Sequence, residues 1–204
     1  CQNPEDAFKM NDGPHEKAPR PIGEVVVAST TEFLSQCRRL YNAPELGSLV
    51  RCGGDSPIYG VVGDVTTQSI DPGRRPMALG EDEDTEEAVY LRNPQLNRLL
   101  TTEFRSIAVG HRDDGRLRRY LAPTPPRIHS FVYRCDGDEV LEFTASMDFL
   151  PTLLASPIGS PDDVIAAFLR QAGRCHPEPE VFLVDAGRQL AVLMAGQMQR
   201  IVTR

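Results

Sequence analysis

Two neighbouring arginines in a turn form the first group in this sequence that could bind a ligand. The turn is Asp71-Pro72-Gly73-Arg74-Arg75, and paired guanidinium groups are suited to hold a phosphate or a carboxylate. Asp71, Arg74 and Arg75 are therefore candidate partner-binding residues. We favour a simpler interpretation, a β-turn at the exit of a strand whose solvated arginines balance the acids that follow.

A predicted hairpin carries the second group, a cluster of positive charge that could contact the backbone of a nucleic acid. Its strands flank the turn Asp113-Asp114-Gly115, and Tyr120 is the aromatic residue placed to stack on a base. The same charge would also protect an exposed strand edge, so this alternative stays open. The candidate nucleic-acid contacts are Arg112, Arg116, Arg118 and Arg119.

Cys175 and His176 are adjacent in the sequence, and a thiol nucleophile with an imidazole base is a combination used in covalent catalysis. Adjacent residues rarely point at each other, however, and catalytic pairs usually meet through the fold. The sequence also contains no Gly-x-Ser-x-Gly elbow and no His-Glu-x-x-His motif. We therefore predict no catalytic residue and no enzyme activity.

The scarcity of lysine excludes one large class of enzymes. Only Lys9 and Lys17 occur, and neither lies in a glycine-rich turn that opens a helix. A phosphate-binding P-loop needs a lysine in such a turn, so a Walker-type ATPase is excluded within this sequence. The acids between Glu81 and Glu87 form a run that only Thr85 interrupts, whereas a calcium loop needs acids at alternate positions, a central glycine and a final glutamate. We predict neither a metal nor a cofactor.

The overall composition indicates a soluble protein with its own core. Hydrophobic residues make up 40% of the 204 residues, and no apolar run approaches the roughly 18 to 20 residues of a membrane helix. The net charge of −7 argues against wholesale binding to nucleic acid, which needs a positive surface. No two of the five cysteines have the two-residue gap of a zinc or redox motif, so reduced thiols and a cytoplasmic location are expected.

The first twenty residues are polar, rich in proline and charge, and lack periodicity. We predict that residues 1–20 form a disordered or loose arm or a remnant of the expression vector; with Met10 as the native start, the remnant is residues 1–9. Cys1 is also compatible with a mature lipoprotein. A cleaved transit peptide would instead place the protein in an organellar stroma or matrix.

Residues 21–136 are rich in β-branched and aromatic residues, which predicts a β-rich body. One strand is expected across residues 22–33, others at 49–52 and 58–69 and in the hairpin, and a last one that includes His129. Gly60 and Gly63 predict a bulge or a tight bend. Five or six short strands with such glycines favour a small barrel, because closure removes exposed edges.

Helical periodicity replaces the strand pattern after residue 138. The clearest helix has Ser160 as its N-cap and Pro161 in its first turn, and it ends at Gly173. A long last helix is expected to follow, with a hairpin that turns at residues 185–187 as the competing interpretation. Its predicted inward residues are Phe182, Leu183, Ala186, Leu190, Leu193, Met194 and Ile201.

Three short motifs follow one another in the β-rich part. The first has Ile22, Gly23 and Val25, the second Gly47 and Val50, and the third Gly60, Val61 and Val62. This order resembles the HAS barrel, the small β-barrel shared by HerA-type DNA translocases and rotary ATP synthase subunits. The resemblance covers roughly residues 21–135.

In HerA-like proteins the barrel precedes a motor domain with a phosphate-binding loop. Here a helical region without lysine follows instead, so the ATPase activity is not carried over. The resemblance implies a barrel that packs beside copies of itself or docks a partner, while another chain performs any chemistry.

The sequence therefore predicts an α+β protein, with a small closed or partly open β-barrel at 21–136 and a C-terminal helical region at 138–204. We expect a non-catalytic assembly or adaptor module that self-associates or docks a partner ATPase, nuclease or other large complex. The apolar surface of the last helices is the expected contact. The alternative is a weak nucleic-acid binder that uses the basic hairpin.

Overall fold

The described part of the chain forms seven strands and six helices. It covers residues 20–71 and 73–202 of a computed structural model, with side chains as far as Ala195, so the predicted arm at 1–19 lies outside it. The strands are β1 Gly23–Ala28, β2 Glu32–Cys37, β3 Leu49–Cys52, β4 Ile58–Ser69, β5 Leu100–Asp113, β6 Arg116–Arg118 and β7 Phe131–Arg134. The helices are α1 Glu86–Arg92, α2 Leu96–Leu99, α3 Gly137–Thr144, α4 Leu150–Leu154, α5 Pro161–Gly173 and α6 Pro179–Val202.

Six of these strands close into an antiparallel barrel, which confirms the predicted α+β barrel with helices after it. The strands follow the order β2-β1-β7-β3-β4-β5, and the pairing of β5 with β2 closes the ring. β6 pairs only with β5 and extends the wall as a hairpin whose turn is at Asp114 and Gly115, as predicted. β4 shows two register shifts, one beside Gly60 and one across Gly63, where the sequence predicts a bulge.

The barrel interior is a small apolar core made by alternate residues of its strands. Phe33 and Phe104 are fully buried there, and Gly60 leaves room for the Phe33 ring. This alternation fixes the register, since a slip by one residue would turn each strand inside out. The interior residues are Val25, Phe33, Val50, Cys52, Ile58, Val62, Phe104, Ala108, Ala122 and Val132.

A hairpin replaces the single strand predicted across residues 22–33, so that prediction was wrong. The Ser29 hydroxyl accepts hydrogen bonds from the backbone N–H groups of Thr31 (3.3 Å) and Glu32 (3.1 Å). These bonds reverse the chain between β1 and β2 although Thr30 and Thr31 are good strand formers. His129 was also placed wrongly. It lies in the connection before β7 with a φ of +69° and pairs with Glu24.

A second apolar core lies between the outer wall of the barrel and the last four helices. Tyr59 and Val61 of β4 and Ile107 and Val109 of β5 point away from the interior and are nevertheless buried, because the helices cover them. Phe168 of α5 contributes from the helical side. The barrel and the helices therefore share one continuous packed interface in the described residues.

The helical predictions are largely confirmed. α5 runs from Pro161 to Gly173, and its apolar stripe of Val164, Ile165, Phe168 and Leu169 is buried. α6 is one continuous helix, so the alternative hairpin at residues 185–187 is wrong. Its inward face consists of Phe182 and Ala186, with Leu190 and Leu193 half-buried. Leu183 and Met194 were predicted inward and are instead exposed, because each lies at the margin of that face, and the side chain of Ile201 is outside the described part.

The connection from β4 to β5, residues 70–99, contains α1 and α2 and buries none of the residues in these two helices. Thr85 caps α1 by accepting a hydrogen bond from the Ala88 N–H (3.2 Å), and Glu86 and Glu87 occupy its first turn, where negative charge is favourable. No helix among the described residues has the length and apolar character needed to cross a bilayer.

Candidate functional site

The arginine turn after β4 is held by its own aspartate. Asp71 accepts a hydrogen bond from the Gly73 N–H at its side chain (2.9 Å) and from the Arg74 N–H at its carbonyl (3.0 Å). Arg74 Nε also lies 3.7 Å from an Asp71 carboxylate oxygen, and both side chains are exposed. Arg75 is exposed as well. The structure thus brings Asp71 and Arg74 together in a local turn, and partner binding there stays a prediction.

Arg112, the first candidate of the basic hairpin, faces helix α3. Its Nη2 lies 2.7 Å from Glu142 Oε2, and its Nη1 donates to the Gly115 carbonyl at 2.9 Å. The hydrogen bond to Glu142, supported by Tyr59, raises the pKa of Arg112 above its already high value. Arg112 therefore ties the β5–β6 hairpin to the helical region.

Arg119 has a similar structural role at the end of the same helix. Its Nε and Nη2 donate to the carbonyl oxygens of Phe143 and Glu142, each at 2.6 Å. These carbonyls lie at the C-terminus of α3, where backbone acceptors lack intrahelical donors and where positive charge is favourable. The guanidinium group of Arg119 is therefore committed to the fold.

The other two candidate arginines differ from this pair. Arg118 is half-buried, and its Nε has no hydrogen-bond partner among the described residues. Arg116 is exposed. The four arginines therefore do not form one exposed basic surface, and of these four only Arg116 is both exposed and uncommitted in the described structure. Nucleic-acid contact stays a prediction, and Arg116 is the candidate residue that could make this contact without breaking a contact of the described structure.

Cys175 and His176 are each engaged by a different neighbour. His176 Nε2 lies 2.8 Å from Thr144 Oγ1, whose hydroxyl donates to the Val140 carbonyl at 2.7 Å. The imidazole stacks on Phe182 with 3.9 Å between ring centroids, and burial lowers the pKa of His176. The Cys175 thiol donates to the Gln171 carbonyl at 3.8 Å. These contacts give both residues a packing role between α3, α5 and α6.

The last helix presents a second apolar face, which the sequence reasoning did not separate from the first. Val181, Val184 and Val192 are 54%, 52% and 73% exposed, although their helix is anchored through Phe182 and Ala186 on its opposite side. The signal was present in the sequence: Val181, Val184, Arg188, Ala191 and Ala195 alternate spacings of three and four residues. This spacing places them on one stripe of a helix.

Charge is distributed unevenly along α6 and the turn before it. Glu178, Glu180 and Asp185 make the start of this segment acidic, and Arg188 follows. Arg188 Nη1 lies 3.1 Å from Asp185 Oδ1, so the basic residue within the outward stripe has a partner on its own helix.

The chain matches no protein-family model and no curated protein.

Proposed function

We propose that this protein is a non-catalytic assembly module that self-associates by packing the outward face of α6 against the same helix of a second copy. One observation carries the proposal. α6 is anchored to the barrel-helix core through one side, yet it exposes a second apolar stripe at the spacing of a coiled-coil seam. Within the part of the chain that the structure describes, Val181 and Val184 of that stripe stay exposed and have no packing role.

The length of α6 suits such an interface. Its 24 residues span about 36 Å at 1.5 Å per residue, enough for about three heptads. In the sequence the same three-four spacing continues at Met198 and Val202. Arg188 interrupts the apolar stripe, and its long side chain reaches Asp185 at the edge of the seam.

Charge favours an antiparallel pair over a parallel one. A parallel pair would place Glu180 and Asp185 beside the same acids of the second copy. An antiparallel pair places the acidic start of α6 beside the later, less acidic turns and also opposes the two helix dipoles. A two-fold axis between residues 189 and 190 would set Val184 against Ala195, and Arg188 against the small Ala191.

The resemblance of residues 21–135 to the HAS barrel supports the same proposal, because it implies packing beside copies. The alternative occupant of this face is a partner protein, either an ATPase, a nuclease or another large complex. A single-copy mass at every concentration would favour that alternative and reject self-association.

Light scattering on a size-exclusion column tests the interface. The parent chain should have twice the monomer mass, and Val184→Glu should return it to the monomer, because a carboxylate would be buried in the seam. Leu91→Glu is the matched control, since Leu91 is an apolar helical residue that is 81% exposed outside α6. It should leave the dimer intact, and circular dichroism should show that both variants fold.

Disulfide trapping tests the orientation. A mixture of Val184→Cys and Ala195→Cys chains should form a cross-linked heterodimer under mild oxidation. The control mixtures, in which the parent chain replaces one of the two variants, should not. A Val184→Cys chain that cross-links to itself instead would show a parallel pair and contradict the antiparallel register.

A further inference from the structure

An open cleft of about 760 Å³ lies beside α1, far in sequence from α6 and independent of the proposed interface. Two aromatic residues, two acids and two smaller side chains form most of its lining: Tyr41, Tyr90, Glu86, Glu87, Val89 and Asn97. No lysine or arginine of residues 20–71 and 73–195 lines it, so among these residues an anion would meet carboxylates without a counter-charge.

Two tyrosines form an aromatic corner in this cleft. The rings of Tyr41 and Tyr90 meet edge to face at 89°, with 6.1 Å between centroids, and their hydroxyl groups hydrogen-bond to each other. Tyr41 is 60% exposed, so the face of a π-system is available to solvent. Ring faces carry negative electrostatic potential and attract organic cations.

Tyr41 is held in place by a strained backbone. Its φ of +62° lies in the left-handed region, which costs a non-glycine residue about 1–2 kcal/mol. The Tyr41 N–H donates to Thr102 Oγ1 at 2.9 Å, and that buried hydroxyl pairs with Thr67 Oγ1 at 2.8 Å. The hydrogen bond to Thr102 therefore holds an exposed aromatic ring in a strained backbone position, a feature that clusters at binding sites.

The charge of the cleft suits a cation as well. Glu86 and Glu87 are exposed, and neither forms an ion pair within residues 20–71 and 73–202. The hydrogen bond with Tyr41, in which the neutral Tyr90 hydroxyl donates, raises the pKa of Tyr90 to about 12, aided by partial burial and more weakly by Glu86. The Tyr90 ring therefore stays neutral at physiological pH.

We propose that this cleft binds an organic cation, an ammonium or guanidinium group that lies on a tyrosine ring while Glu86 and Glu87 supply the opposite charge. The cation could be a free amine or the side chain of a basic peptide, and the chemistry of recognition is the same for both. The open cleft admits a long side chain with its flanking atoms, whereas a bare inorganic ion would leave most of the cleft volume unfilled.

Tyrosine fluorescence can follow binding directly, because the chain contains no tryptophan. The probes are agmatine, a free guanidinium compound, and an acetylated arginine methylamide, which represents a peptide side chain. The acetylated citrulline methylamide is the matched neutral control. We expect saturable, salt-sensitive binding of a guanidinium probe and at least about tenfold weaker binding of the citrulline compound. Tighter binding of the arginine methylamide than of agmatine would identify a peptide as the source, and the reverse order a free amine.

Three variants locate the site. Glu86→Gln/Glu87→Gln should weaken binding about tenfold without affecting the fold, because both side chains are exposed. Tyr41→Leu should weaken it about five- to thirtyfold through loss of the ring. Tyr120→Leu removes another exposed tyrosine, outside the cleft, and should leave the affinity unchanged. Equal affinity for citrulline and arginine probes, no binding at low salt, or undiminished binding by the double glutamine variant would each overturn the proposal.

Discussion

Arg112 Nη2 lies 2.7 Å from Glu142 Oε2, and this ion pair joins the β5–β6 hairpin to helix α3. Arg119 reinforces the same junction through the last carbonyls of the helix. Positive charge in this hairpin thus connects two parts of the chain that are about thirty residues apart. A nucleic acid that used all four candidate arginines would have to compete with these contacts.

Replacing Arg119 with alanine should destabilise the fold, whereas replacing Arg116 should not. Arg119→Ala leaves two helix-end carbonyls without their charged donor, which should cost about 1–3 kcal/mol. Arg116 is exposed, so Arg116→Ala should stay within about 0.5 kcal/mol of the parent. Urea unfolding followed by circular dichroism gives both values. Equal stability of Arg119→Ala and the parent would contradict the structural role of Arg119.

The different roles of Arg116 and Arg119 decide which variant should be used to test nucleic-acid binding. A combined alanine substitution of Arg116, Arg118 and Arg119 would mix lost binding with lost stability. Arg116→Ala alone avoids this, and unchanged, salt-dependent binding of single-stranded DNA or RNA by that variant would remove Arg116 from the contact.

Gly47 should be intolerant of a side chain where the barrel meets α5. Its φ is +79°, and an added Cβ would lie 2.4 Å from the Phe168 backbone nitrogen. Gly115 is the matched control, since it has a φ of +74° and no atom within 4 Å of an added Cβ. Gly115→Ala should cost only the backbone strain, about 1–2 kcal/mol, whereas Gly47→Ala should cost more than about 3 kcal/mol. Chemical denaturation measures both, and equal losses would mean that Gly47 is not closely packed.

Gly60 should be needed for space inside the barrel. An added Cβ there would lie 2.8 Å from two ring atoms of Phe33 and 2.9 Å from Ser106 Cβ. Gly60→Ala should therefore cost about 1–3 kcal/mol through overpacking. Gly54→Ala is the control, because no atom lies within 4 Å of its added Cβ. A Gly60→Ala protein as stable as Gly54→Ala in thermal unfolding would show that the interior has spare room.

Buried thiols should make the fold sensitive to alkaline pH. Burial raises the pKa of Cys52 to about 12 from its ordinary 9.0. The unfolded chain therefore loses this proton at lower pH than the folded chain does. Stability is intact below about pH 9 and falls between pH 9 and about 12, by at most about 1.4 kcal/mol per pH unit for this thiol.

Unfolding free energies measured under reducing conditions over this range check the prediction. Cys37, whose pKa burial raises to about 11 with a smaller contribution from Glu103, adds to the effect in the parent. Cys52→Ala should show a shallower decline with pH, whatever its absolute stability. Identical slopes for the variant and the parent would contradict the effect of burial on this thiol.

The elements that could be predicted from the sequence are those whose cause is local. Pro161 begins α5 because its fixed φ suits the first helical turn, and the helix ends at Gly173 as predicted. Gly60 and Gly63 indicated the irregularities of β4 for the same kind of reason. The β1–β2 turn escaped prediction because a serine hydroxyl, rather than a glycine or proline, reverses the chain there.

The presence of two apolar cores, one inside the barrel and one between its wall and the helices, was not visible in the sequence. It removes the alternation of apolar and polar residues that usually marks a strand. Tyr59 and Val61 face outward and are buried all the same, so β4 is apolar on both faces in its first half. Periodicity cannot distinguish such a strand from a buried helical segment. Only the packing of the helices on the wall explains it.

The candidate sites depend on contacts between distant residues, which no local pattern contains. Glu142 is thirty residues from Arg112, and Tyr90 is forty-nine from Tyr41. Side-chain chemistry alone therefore predicted four exposed arginines, whereas Arg112 and Arg119 have structural roles in the fold. It also gave no sign that Tyr41 and Tyr90 would meet. The outward stripe of α6 is different, since its spacing was present in the sequence.

The position of β7 has a consequence for synthesis of the chain. It is the last strand of the wall in sequence, and it lies between β1 and β3. A nascent chain without β7 can make only an open sheet in the order β1-β2-β5-β4-β3, with β6 paired to β5, and its two edges at β1 and β3 are each a template for joining a neighbouring polypeptide on the polysome. Pairing of β7 with β1 and β3 then covers both edges at once, so the stage at which β1 to β6 have left the ribosome and β7 has not should carry the greatest aggregation risk.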